Sequence, residues 1–302
     1  MNDSTLRQRL RAGDPAPSAP HYSDAEATRL LNEITSASTT NVMSLRKPRA
    51  FKLAVAAAVA AAVVVAPTLT LNGAAPVSQA AAAALNAAAI LVQDDPQWTP
   101  GQFWKITTLE HQGKLGSSEH IKYVPVDGIG LSYYSSGAVG NPSDFWRGED
   151  MSKSDEGWWQ MPSSAFLASL PRDTAALRDR LYTDVVGHGT TLDGEAYVYV
   201  TDLFRSGVVP SDLQVALLRV LATVPGVEIT SDSVTLDGRA GLGIGCVEPK
   251  GDGESVTEIV LDTKTGQIIG ERHLWNGAVR YTTSSTRELV DAVPAEYITK
   301  SN

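Results

Sequence analysis

The segment TEIVLDTKTGQIIGERHLWNGAVRYT, residues 257–282 of this 302-residue chain, predicts the class of its fold. Thr257–Asp262 and Gln267–Arg272 are runs of strand length that are rich in β-branched residues, and a Thr-Lys-Thr-Gly turn separates them. The pair Asn276-Gly277 precedes a third run, and Asn-Gly is the strongest short signal for a type I′ hairpin. Successive strands joined by tight turns predict an antiparallel sheet.

The residues upstream of this segment extend the pattern. Further strands are predicted at Gln102–Leu109, His120–Val126, Leu131–Tyr134, Val227–Thr230 and Ala240–Val247. Helices are predicted at Pro171–Val186, Glu195–Ser206 and Pro210–Val224. The third helix is the clearest, because Leu213, Leu217, Val220, Leu221 and Val224 line one of its faces. Strands, then helices, then strands predict an α+β domain with an antiparallel sheet and packed helices.

A membrane-spanning helix is predicted at residues 53–71. These 19 residues carry no charge, and Leu53–Ala66 contains only Leu, Ala and Val. At 1.5 Å per residue such a helix extends roughly 28 Å, about the thickness of one hydrocarbon core. A signal peptide cleaved near Ala80 is the alternative, although a 52-residue segment before the apolar run is long for one.

The charges predict the orientation of this span. Arg46, Lys47, Arg49 and Lys52 precede it directly, and the next basic residue after it is Lys105. Residues 1–52 hold eight basic and five acidic residues, a net charge of +3, whereas the rest holds 17 basic and 29 acidic ones, a net of −12. The positive-inside rule places the N-terminus in the cytoplasm and the C-terminal region outside the cell membrane.

Four segments follow from these patterns. Residues 1–52 are predicted to be a largely disordered cytoplasmic arm, 53–71 the transmembrane helix, 72–96 an Ala-rich helix and linker, and 97–302 an extracytoplasmic α+β domain. The arm is too short and polar to fold alone, so it is either a docking segment for a cytoplasmic protein or a solvated tail.

Composition and motifs exclude most chemistry. A net charge of −9 argues against nucleic acid as a partner, and the single cysteine, Cys246, excludes an internal disulfide. Gly241-Leu242-Gly243-Ile244-Gly245 lacks the last glycine of a dinucleotide loop and lies in a predicted strand, where glycine favours a bend or close packing. We therefore expect no cofactor, no metal site and no catalytic residues; a hydrolase using His188 is a remote alternative.

Tryptophan gives the one indication of a binding site. Trp158 and Trp159 are consecutive, so in a strand they would point to opposite faces. Together with Trp146 they are candidates to line an apolar ligand groove. The alternative is a core tryptophan beside one that caps a sheet edge.

Six weak motifs follow one another along the chain: Leu10–Pro15, Pro96–Trp104, Asp202–Arg205, Pro210–Val227, Asp237–Gly241 and Glu258–Gln267. In these motifs and their order the chain resembles an uncharacterised family of actinobacterial single-pass membrane proteins. More loosely, the order of segments is similar to that of envelope sigma-factor regulators, although the arm lacks a zinc-type His/Cys motif. The closing hairpin resembles LolA/RseB-type half-barrels, which implies an apolar concavity for lipid or lipoprotein.

These observations predict a non-enzymatic single-pass protein of the bacterial envelope. Its external domain is expected to bind an apolar or protein ligand, and its arm to report inside in an anti-sigma-like way. The alternative is an extracytoplasmic lipid-binding, lipoprotein-binding or scaffold protein without a signalling role.

Overall fold

The computed structural model describes residues 75–150, 157–250 and 252–301. No helix within these ranges is both long enough and apolar enough to cross a membrane. The predicted arm and span, with the basic residues Arg46, Lys47, Arg49 and Lys52, lie outside the described residues.

A single antiparallel sheet of nine strands occupies the described part of the chain. The strands are β1 (Phe103–His111), β2 (Ser117–Pro125), β3 (Leu131–Ala138), β4 (Asn141–Asp150), β5 (Val227–Leu236), β6 (Arg239–Lys250), β7 (Gly253–Leu261), β8 (Ile268–Trp275) and β9 (Ala278–Val290). Their order is β4-β3-β2-β1-β9-β8-β7-β6-β5, so two meanders, β1–β4 and β5–β9, meet where β1 pairs with β9. The predicted antiparallel sheet with helices is confirmed.

Six α-helices accompany the sheet in the described ranges. They are α1 (Gln79–Leu91), α2 (Ser164–Ser169), α3 (Thr174–Asp184), α4 (Leu192–Ser206), α5 (Ser211–Leu221) and α6 (Ala295–Lys300). The predicted apolar face of α5 is fully buried, as are Leu177 and Leu181 of α3. Apolar spacing of 3.6 residues therefore correctly identified α3 and α5, whereas the short helix α2, which also contributes Phe166 and Leu167 to the core, was not predicted.

Helix α1 belongs to this core. Ala81, Leu85 and Ala88 are fully buried, and the helix packs against α5 and β5. The Ser78 hydroxyl caps it by accepting from the Ala81 N–H at 3.2 Å, and the Ser78 N–H donates to the Val227 carbonyl at 2.9 Å. The folded unit thus includes the helix of the segment 72–96, and the alternative cleavage position lies at the start of a buried helix.

One face of the sheet, here called the inner face, carries the helices. A row of directly paired residues shows its continuity from β6 to β1: Ile244, Ile259, Glu271, Thr283 and Glu110. In the middle of β6 and β7 this face carries the aliphatic residues Leu242, Ile244, Ile259 and Leu261, which are buried beneath the helices. The opposite, outer face of β2–β4 is covered by α6.

The glycine run in β6 serves packing, as expected. Gly241, Gly243 and Gly245 alternate with the inner-face residues, and β7 side chains lie over them on the outer face. A Cβ at Gly243 would be 2.4 Å from Oε1 of Glu258, which is fully buried and accepts from Arg272 at 2.8 Å. A side chain at this position would displace the buried ion pair.

One strand was not predicted, and one local prediction was wrong. Strand β4 was not predicted, because Pro142 and its acidic residues are unfavourable for an interior strand; edge strands tolerate both, and β4 is at the edge. Trp158 and Trp159 lie in an irregular segment before α2 and not in a strand. Trp158 and Met161 exchange two backbone hydrogen bonds, of 3.2 and 3.1 Å, which close a turn in this segment.

Candidate ligand-binding groove

The helix α4 reaches only the first strand, β1, of the first meander. Helix α4 ends at Gly207, which has φ 74° and lies directly over Ile106 of β1. A Cβ there would be 2.9 Å from the Ile106 side chain. Both this close contact and the left-handed backbone conformation favour glycine at position 207. Beyond this contact the described part of the chain leaves a groove over the inner face of β2–β4, and no residue of α1, α3 or α5 lines it.

The floor of the resulting groove is a row of paired residues across three strands. Lys122, Tyr134 and Trp146 are direct partners in β2, β3 and β4, and the next residue of the row, Ile106 of β1, lies under Gly207 beside the groove. The rings of Tyr134 and Trp146 stack with centroids 5.6 Å apart and planes 5° from parallel. Gly148 lies beneath the Tyr134 ring, where a Cβ would be 2.7 Å from Cε2. The floor is therefore a flat aromatic surface beside a lysine.

The walls come from the helical side. Residues 157–163 and helix α2 form one wall, and the end of α4 forms the other. Trp159 anchors the first wall: its ring is fully buried, its Nε1 donates to Asp184 at 2.9 Å, and it packs edge-to-face on Phe166. This anchor holds Met161, which is 72% exposed, at the groove.

The groove has a volume of about 870 Å³, within the range of small-molecule sites. Its lining is mainly apolar and aromatic, with Trp98, Trp104, Trp146 and Met161 among the contributing residues. Trp98 and Trp146 are 44% and 41% exposed, so two indole rings present apolar surface to solvent at one cleft. Exposed aromatic surface of this kind marks binding sites more often than random surface does.

The three candidate tryptophans are not brought together. Only Trp146 lines the groove, whereas Trp159 is in the main core. Trp158 packs edge-to-face on Tyr199, with centroids 5.7 Å apart, on the helical layer. Sequence reasoning missed Trp98 and Trp104 as lining residues. For Trp104 the signal was available, since it alternates with Ile106 along a predicted strand and therefore shares its face.

A charged cluster closes the groove at α4. Arg205 donates from Nη2 to Oε2 of Glu271 at 2.6 Å and from Nη1 to Asp202. Glu271 is 3% exposed, and burial raises the pKa of its carboxyl while the Arg205 guanidinium acts in the opposite direction. Lys122 faces this cluster from the sheet. Burial, and then the positive charge of Arg205, lower the pKa of its ammonium group.

The other residues considered from the sequence lie elsewhere. Cys246 is buried in the main core, and burial raises the pKa of its thiol to about 12, which makes it a poor nucleophile. His188 contacts the rings of Trp158 and Tyr199 in the helical layer. Among the described residues no group of three or more His, Cys, Asp or Glu is arranged to hold a metal ion.

Comparison with known proteins gives distant structural likeness only. No family model and no curated protein matches the chain. The complex of Pseudomonas aeruginosa MucA and MucB matches with 13% identity and a TM-score of 0.31, over 74% of this chain and 61% of that one. A crystal structure of MucB matches with 14% identity and a TM-score of 0.27, over 70% and 60%. The chain thus spans about three fifths of the length of these solved chains.

Proposed function

We propose that this chain is a non-enzymatic protein of the bacterial envelope whose external domain binds an apolar ligand in the groove. The observation that carries the proposal is the cleft of about 870 Å³ lined by Trp98, Trp104 and Trp146. Among the described residues no helix covers this part of the inner face completely, and a ligand would remove its aromatic surface from water.

The position in the cell rests on the sequence. The uncharged run at residues 53–71 and the basic cluster before it support a single span with a cytoplasmic N-terminus. In this arrangement the groove lies outside the cytoplasm, and residues 1–52 are placed to transmit its occupancy to a cytoplasmic protein. The proposed role is regulatory or ligand-sensing.

Binding is tested with the full chain in phosphatidylcholine nanodiscs and with dodecanol, an uncharged amphiphile, as the probe. Occupancy of the groove should change tryptophan emission, because three indoles line it. Trp146→Ala should weaken binding about 10-fold, since a lost aromatic contact of this size is worth about 1.5 kcal/mol. Trp158→Ala is the matched control and should bind like the wild type. Absence of binding by the wild type, beyond that of empty nanodiscs, would refute the proposal.

The alternative function is lipid or lipoprotein binding, or a scaffold role, entirely outside the cell and without signalling. The same groove supports it, because the groove does not depend on the arm. Deletion of residues 1–45 with the span retained separates the two. Loss of a ligand-dependent cellular response with unchanged dodecanol binding favours the signalling function, whereas an unchanged response favours the alternative.

A further inference from the structure

Five charged side chains line the groove, and four of them have partners. Arg172 pairs with Asp212 at 2.8 Å, and the Asp127 carboxylate accepts from the Ile129 N–H at 3.0 Å. Arg205 and Asp202, as described above, are joined to each other. The ammonium group of Lys122 has neither an ion pair nor a hydrogen bond with any residue in the described ranges.

The surroundings of Lys122 make this ammonium group unusual. Its direct neighbours in the sheet are Ile106, which is 1% exposed, and Tyr134, so both flanks are apolar or aromatic. Burial lowers the pKa of this ammonium group, and the charge of Arg205, which has the same sign, lowers it further. The carboxylates of Asp202 and Glu271 are both engaged by that guanidinium. A cation withdrawn from water is costly unless an anion compensates it.

The place of Lys122 in the row indicates what supplies the anion. It lies between Ile106 and the stacked rings of Tyr134 and Trp146, so a group bound to its Nζ is contiguous with the aromatic floor. We infer that Lys122 binds the anionic head group of a single-chain amphiphile whose aliphatic tail lies along that floor. This inference rests on the proposed function and adds the chemical class of the ligand: a long aliphatic chain that ends in a carboxylate or a phosphate.

The test compares amphiphiles that share one tail. Dodecanoate, dodecyl phosphate and dodecanol are titrated at pH 7.5 against the full chain in phosphatidylcholine nanodiscs, with tryptophan emission as the readout and empty nanodiscs subtracted. Each anionic probe should bind at least about 10-fold more tightly than dodecanol, as expected for a charge-assisted hydrogen bond in a partly dry site. Acetate and inorganic phosphate carry the same anionic groups without an aliphatic tail, and they should bind much more weakly than the dodecyl probes.

Variants assign the preference to one residue. Lys122→Met keeps most of the aliphatic stem and should remove the preference for anions, so that the ratio of dodecanol to anionic-probe dissociation constants falls from about 10 or more to about one. Lys122→Arg should retain the preference. The matched control is Lys105→Met, which removes one positive charge from the outer face of the neighbouring strand, where Lys105 pairs with Glu288. Circular dichroism and the thermal midpoint check the fold of each variant.

The outcomes separate the two proposals. If no amphiphile binds, the proposed function fails. If dodecanol and the anionic probes bind equally, or if Lys122→Met keeps the preference, the groove remains and the inference about Lys122 is overturned. If acetate or inorganic phosphate binds as tightly as its dodecyl counterpart, the site takes a free anion and the inference about an amphiphile is likewise overturned.

Discussion

The inner face of the sheet differs between the two meanders in its side chains and in what covers it. On β6 and β7 the face is made of aliphatic residues such as Ile244 and Ile259, both fully buried under the helices. On β2–β4 it carries Lys122, Tyr134 and Trp146, and it lines an open groove. The covered meander supplies the core, and the open one supplies surface for recognition. The boundary between them is the contact of Gly207 with Ile106.

The covered meander, β5–β9, is expected to protect the thiol of Cys246 from alkylation. Cys246 has a pKa of about 12 when folded, against about 8.5 for a free thiol, so the native thiolate fraction at pH 8 is lower by a factor on the order of a thousand. Iodoacetamide labelling followed by intact-mass measurement should be slower by about that factor than in guanidinium chloride.

The same shift gives a pH dependence of stability. Because the folded pKa is the higher one, burial of this thiol stabilises the fold below about pH 8.5, and the contribution is lost as the pH rises toward 12. If iodoacetamide labelled Cys246 in the native protein at nearly the rate found for the unfolded chain, the helices would not cover the meander β5–β9 at this residue.

A truncation within the covering helices should be the most destabilising of the substitutions considered. Leu217→Ala in α5 removes a fully buried side chain and should lower the free energy of unfolding by about 3 kcal/mol. Leu115→Ala is the control, since that residue is 85% exposed and its loss should change stability by less than about 0.5 kcal/mol. Urea denaturation followed by circular dichroism measures both, and equal effects would contradict the assignment of the core.

The segment between α1 and β1 joins the two regions through Asp95. Its carboxylate accepts from the Ser211 N–H of α5 at 3.0 Å and from Arg287 of β9 at 2.5 Å. The Arg287 guanidinium lies 4.2 Å over the ring of Trp104, which lines the groove. Asp95→Ala should cost about 2 kcal/mol in urea denaturation. The control is Asp94→Ala, at an exposed neighbour, which should leave the free energy of unfolding almost unchanged. Equal losses of stability in the two variants would show that the hydrogen bonds of Asp95 do not stabilise the fold.

The open meander should tolerate loss of its aromatic surface. Trp146→Ala removes a ring that is 41% exposed and stacked on Tyr134, so the free energy of unfolding should fall by no more than about 1 kcal/mol. The comparison of regions is wrong if this substitution destabilises the protein as much as Leu217→Ala does.

Sequence patterns identified elements well where local chemistry determines them. The predicted turn at Asn276-Gly277 is confirmed, since both residues have positive φ, 50° and 74°. The predicted buried face of α5 is confirmed as well. These features depend on neighbours in sequence, which periodicity and turn residues report directly.

The candidate site was harder to predict because its residues become neighbours only through the sheet. Alternation in His120–Val126 indicates a polar and an apolar face, but it does not show which element covers each. In the structure the apolar face, with Tyr123, lies under Tyr297 of α6, with ring centroids 4.8 Å apart, and the face with Lys122 lines the groove. No local pattern indicates that a C-terminal helix covers the outer face.

The pairing of β1 with β9 has a consequence for how the chain folds. Every other neighbouring pair of strands is consecutive in sequence and can form as a local hairpin or short meander. Across this seam the partners are far apart: Lys105 and Glu288, which form a salt bridge, are separated by 183 residues. Closing so long a loop is slow and entropically costly, so the seam forms after the meanders that it joins. Nascent chains therefore expose the edge of β1 until nearly the whole domain has been made.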